Sequence, residues 1–110
     1  MPNFSLADTV FSEAARRFPT PFYLYDERGI RAAARALYAA FSWNPGYKQY
    51  YAVKALPNPA VLRILMEEGC GLDCSSETEL LLARRLGAGG ERVMFSANAM
   101  PPHEFALARR

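Results

Sequence analysis

Three apolar, strand-like runs recur along the second half of the chain at steps of roughly 21 residues, and each is followed by a helix with its own start signal. The runs are Tyr50 to Lys54, Cys70 to Ser75 and Arg92 to Asn98. A strand, a crossover helix and another strand at this spacing can pair only in parallel, with right-handed crossovers. The punctuation between them is specific. Asn58 caps a helix whose first position is Pro59 and which stops at Gly69. Ser76 and Glu79 form a capping box, and Gly87 ends the helix that carries Leu80, Leu81, Ala83 and Leu86. Pro101 and Pro102 open a further helix at His103. Gly87, Gly89 and Gly90 follow a helix and precede a strand, the wrong order for a dinucleotide loop, so they read as a helix stop and a turn.

Upstream of these units, Phe4 to Arg17 has helical spacing of its apolar residues, with Ser5 as its cap. Pro19 and Pro21 end it. Phe22 to Tyr25 is expected to be a strand, and Asp26 to cap a helix over Glu27 to Phe41. Arg28, Arg31 and Arg35 fall largely off the apolar face of that helix and are expected to be solvated. Residues 1–25 thus form an amino-terminal helix and strand, which a second β domain could claim, and residues 26–110 form the α/β part.

Composition narrows the function classes. A net charge of +2 on 110 residues, with no basic patch, does not suggest a nucleic-acid surface. No apolar run has the length of a membrane span, and the amino terminus lacks a basic-then-apolar leader pattern, which makes the cytoplasm the expected compartment. Cys70 and Cys74 have no metal-ligand companions nearby and are expected to be small buried thiols, with no metal site.

One residue stands out as a candidate for chemistry. Lys54 is expected to be the last residue of its strand, just before the turn through Pro57, and the carboxyl ends of parallel strands are where α/β folds gather ligands. Strand alternation puts Tyr50, Ala52 and Lys54 on one face, with Ala52 small enough to leave room beside the lysine. On the next run Gly71, Asp73 and Ser75 share a face, so Asp73 is the acid that could be presented near Lys54. A lysine that merely marks the exit of a strand from the core, or a structural salt bridge to Asp73, would explain the same residues. Ser96 and Asn98 could face the same pocket; Glu79 is explained by capping, and His103 by a surface position.

The stretches Tyr51-Ala52-Val53-Lys54-Ala55, Pro57-Asn58-Pro59 and Gly71-Leu72-Asp73-Cys74-Ser75-Ser76-Glu77-Thr78-Glu79 resemble the opening of the pyridoxal-phosphate-dependent decarboxylases of the alanine-racemase-like barrel group. Phe95-Ser96-Ala97-Asn98 and Pro101-Pro102-His103-Glu104-Phe105-Ala106 are most similar to diaminopimelate decarboxylase. The resemblance implies a (β/α)8 TIM-type barrel, of which this chain would supply about three βα units, an incomplete share of the usual ~250 residues. It implies pyridoxal 5'-phosphate as cofactor, held as a Schiff base by Lys54, with Ala52 and Asp73 beside it. It further implies a homodimer that decarboxylates meso-diaminopimelate to L-lysine. An ornithine, arginine or carboxynorspermidine decarboxylase, a non-catalytic cofactor-binding homologue and a plain α/β structural domain remain alternatives.

Overall fold

In the computed structural model, which describes residues 6–109, the three runs become β1 (Tyr50–Ala52), β2 (Gly71–Cys74) and β3 (Val93–Phe95). They pair in parallel in the order β1-β2-β3. The register sets Tyr50 opposite Gly71, Ala52 opposite Asp73, Asp73 opposite Met94 and Cys74 opposite Phe95. Helix α3 (Pro59–Glu67) joins β1 to β2, and α4 (Glu77–Arg85) joins β2 to β3. Helices α1 (Asp8–Arg17) and α2 (Glu27–Ala40) precede the sheet, and α5 (Pro102–Ala108) follows it. The expected Ser5 cap lies outside the described residues.

Several of the expected start and stop signals act through identifiable bonds, although Asp26, at the start of α2, makes no side-chain capping bond to that helix. Asn58 Oδ1 accepts the Ala60 and Val61 amides at 3.0 and 3.3 Å, which satisfies two donors that the first turn of α3 leaves unpaired. Gly69 ends the turn after α3 at φ +96°, a conformation that disfavours any side chain. Only half of the expected capping box forms. Ser76 Oγ accepts the Glu79 amide at 3.3 Å, but the Glu79 carboxylate bonds the amide and the hydroxyl of Ser75 instead of returning to Ser76. That contact ties the end of β2 to the first turn of α4.

One face of the sheet carries the core. Leu72 and Cys74 of β2 are fully buried against Val53, Leu62, Leu80 and Ala83. Burying a leucine such as Leu62 or Leu72 contributes about 1.5–3 kcal/mol, so this face holds α3 and α4 to the sheet. A second cluster, Ala34, Val61, Leu65 and Cys70 with Ile30 and Tyr38 against it, joins α2 to α3. Period-2 alternation leaves Tyr50, Ala52, Gly71, Asp73 and Met94 on the opposite face.

Two sequence expectations fail in the first half of the chain. Phe22 to Tyr25 is extended but forms no strand, because no neighbouring segment offers it a ladder; Tyr23 is 88% exposed. The arginine row is also not simply solvated. Arg31 bonds Glu27 at 2.7 Å, Glu67 at 2.6 Å and Glu68 at 3.0 Å, while Arg35 bonds Glu68 at 2.6 and 2.8 Å. Helical spacing places these arginines beside the apolar stripe of α2, and the end of α3 comes close enough to meet them. No helix of the described residues is long and apolar enough to cross a membrane.

Candidate active site

β1 ends at Ala52, and Val53–Ala55 form a single 3-10 turn. Lys54 is therefore not the last strand residue, as expected, but the middle of the turn just past it. The cause is local: Val53 is fully buried in the core, and Leu56 is already committed to the bend in which the Asn58 amide bonds its carbonyl at 2.8 Å. Pro57 and Pro59 prevent the ladder from continuing. With Val53 held inward, Lys54 is exposed at the carboxyl end of the sheet, and it has no hydrogen bond or ion pair among the described residues.

Ala52 and Asp73 are half-buried and stand opposite each other across the β1–β2 pairing, one strand position below the Lys54 turn. The expected charge pair between Lys54 and Asp73 is not formed. Asp73 turns instead towards β3, where its Oδ1 accepts the Ser96 hydroxyl at 2.6 Å. Ser96 thus shares the face of the sheet that carries Asp73. The sequence suggested only that Ser96, after the third strand, could lie near Asp73, and it could not say which partner the carboxylate would choose. Asn98 is exposed.

The floor of this face is closed by Tyr50. Its ring lies over Gly71, and its hydroxyl donates to the Glu91 carbonyl at 2.6 Å; Lys48 Nζ donates to the same carbonyl at 3.0 Å and lies 5.4 Å from the ring centre. Behind the sheet, burial, helped by the charges of Glu79 and Asp73, pushes the Cys74 thiol up to about 11. Burial likewise raises Cys70. Both cysteines are free.

Three groups with metal-ligand chemistry meet at the start of α4 and α5. Ligand atoms of Glu77, His103 and Glu104 lie within 4.8 Å of one another, with His103 Nε2 at 3.5 Å from Glu77. Glu77 and His103 are exposed, and carboxylates in the first turn of a helix are stabilised by its dipole. The glycines Gly87, Gly89 and Gly90 precede β3 and so lie at the amino end of the sheet, away from Lys54, in the helix stop and turn expected of them.

A family model for the pyridoxal-dependent decarboxylases, describing their pyridoxal binding domain, matches residues 27–110. Protein TabA of Pseudomonas amygdali pv. tabaci is 46% identical over 99 residues, covering 90% of this chain and 23% of TabA. Diaminopimelate decarboxylase of Deinococcus radiodurans is 41% identical over 106 residues, covering 96% of this chain and 27% of that enzyme. The crystal structure of lysine/ornithine decarboxylase from Vibrio vulnificus, complexed with putrescine, matches with a TM-score of 0.82 at 27% identity, over 91% of this chain and 27% of that one. The chain spans about a quarter of the length of the curated relatives it matches.

Proposed function

The chain belongs to the pyridoxal-dependent decarboxylases, and on that premise we propose that the whole protein decarboxylates a basic amino acid, with meso-diaminopimelate as substrate and L-lysine as product. Residues 26–110 are assigned to the cofactor-binding barrel, and residues 1–25 to a separate amino-terminal segment. The proposed enzyme is a cytoplasmic homodimer that takes a free amino acid.

The observation that carries the reading is the position of Lys54: an exposed amine, unpartnered among the described residues, on a turn anchored by a buried valine at the carboxyl end of a parallel sheet. These residues suit the aldehyde end of pyridoxal phosphate. Lys54 Nζ would hold it covalently, Ala52 leaves the adjacent position open, and Asp73 supplies a negative charge on the same face. Such an amine is a nucleophile once deprotonated, and a lysine can be tuned for that by its surroundings. When bound, the cofactor supplies an electron sink for the pair left behind by departing carbon dioxide.

Borohydride reduction of the full-length protein incubated with pyridoxal phosphate, followed by peptide mass analysis, tests the reading. A phosphopyridoxyl group on Lys54 is expected. A label elsewhere, or none, would overturn it. Assays with meso-diaminopimelate, lysine and ornithine then decide the substrate. The last two belong in the comparison because the Vibrio vulnificus structure is that of a lysine/ornithine decarboxylase.

A further inference from the structure

Ser96 lies one residue past β3, and its amide donates to the Cys74 carbonyl at 2.9 Å, so the β2–β3 pairing runs on beyond the strand itself. Asp73 stands opposite Met94 in that register. Ser96, two residues further on, therefore shares Asp73's face and sits nearer the carboxyl end. The bond from its hydroxyl to Asp73 Oδ1, at 2.6 Å, has the short length of an O–H group donating to a carboxylate. Oδ2 accepts no hydrogen bond among the described residues. On the other side of Asp73, its register partner Ala52 offers only a methyl group, and the Lys54 turn follows directly.

We infer that Ser96 is a positioning residue: by holding Oδ1 it orients the Asp73 carboxylate and keeps Oδ2 free for a cationic or hydrogen-bond-donating group of the cofactor or substrate held at Lys54. The inference rests on the proposed role of Lys54. An aspartate on an open strand face has several staggered conformers available, and a short bond from the neighbouring strand selects among them. Ser96 acts through Asp73 and needs no contact with the reacting atoms.

The test uses the full-length protein and pyridoxal phosphate itself. Its affinity and the absorption spectrum of its bound form are measured for wild type, Ser96→Ala, Ser96→Thr, Asp73→Ala and the double variant Ser96→Ala/Asp73→Ala. Ser96→Ala is expected to weaken binding about threefold to tenfold, the range of one ordinary hydrogen bond, because Ser96 acts on the bound group only through Asp73. A displaced absorption band should accompany the loss. Ser96→Thr, which keeps the hydroxyl, should restore both readouts. In the Asp73→Ala background, Ser96→Ala should add less than about twofold, because partners in one interaction are not additive. The exposed Ser96 side chain contributes little packing, so the two single Ser96 variants should melt close to wild type. A silent Ser96→Ala, failure of threonine to rescue, or an undiminished loss without Asp73 would each overturn the inference while leaving Lys54 in place. Wild-type protein that takes up no cofactor would overturn the proposed function together with it.

Discussion

The Tyr50 ring occupies the space that a side chain at Gly71 would need. A Cβ built on Gly71 would meet two ring carbons of Tyr50 at 2.5 and 2.6 Å and the Arg92 carbonyl at 3.0 Å. The two residues are register partners on adjacent strands, so the pairing holds their backbones at a fixed spacing. The ring is further pinned by its hydroxyl on the Glu91 carbonyl. Gly71→Ala is therefore expected to destabilise the full-length protein by about 1–3 kcal/mol, the usual cost of overpacking. Denaturant titration would measure it. The penalty should shrink in a Tyr50→Ala background; an equal penalty there would show that the ring is not the obstacle.

Lys54→Ala should separate chemistry from stability. The side chain is exposed and unpartnered among the described residues, and truncating such a residue changes stability by no more than about 0.5 kcal/mol. Covalent retention of pyridoxal phosphate after borohydride reduction should nevertheless disappear. Melting curves and the mass of the reduced protein check the two halves independently.

The contact between α2 and α3 should weaken in acid. Hydrogen bonds from Arg35 first, and then from Arg31, hold the Glu68 carboxyl down at about 2, against an ordinary value of 4.5. A carboxyl depressed in the folded state contributes stability that is fully present above its unfolded value and is lost as the pH falls through the folded one. The loss therefore falls between pH 4.5 and about 2. Glu68→Gln should lower the melting temperature at neutral pH and flatten its dependence over that window. A variant with the wild-type acid slope would show that Glu68 does not carry the effect.

Cys74 should be chemically silent in the native protein. Its thiol lies fully buried on the core face of β2 and titrates only near 11, so little thiolate exists at pH 8 and reagents have no route to it. Cys70, buried and also raised, should behave similarly. Labelling with a maleimide at pH 8 should proceed only after denaturant is added. Native labelling of Cys74 at the rate of a free thiol would mean that this face of the sheet opens.

The parts of the fold readable from sequence were those governed by short-range rules. Asn58 with Pro59, Ser76, Gly69 and Gly87 mark helix ends because their bonding and backbone preferences act within a turn of the chain. The repeating strand-and-helix spacing then leaves a parallel sheet as the outcome. What resisted reading depends on partners distant in sequence. Phe22 to Tyr25 has strand-like residues but no neighbour, and the ladder is what makes a strand. The arginines of α2 find acids at the end of α3, more than thirty residues away. At the site, alternation placed Ala52 and Asp73 correctly on one face, but the inward pull of Val53 moved Lys54 off the strand, and the carboxylate's choice of Ser96 lies in side-chain conformation.

The bonds from Arg31 and Arg35 to Glu68 close a ring of chain. Everything between α2 and the end of α3 lies within it, including β1 and the Lys54 turn. A strand at an open edge of a sheet is otherwise free to slide or peel, but here the segments entering and leaving β1 are fastened to each other on the outside of the fold. In mechanical terms the lysine sits on a strap buckled at both ends. A load on this turn would be shared between the sheet and the two guanidinium–carboxylate contacts, which join the chain on either side of it.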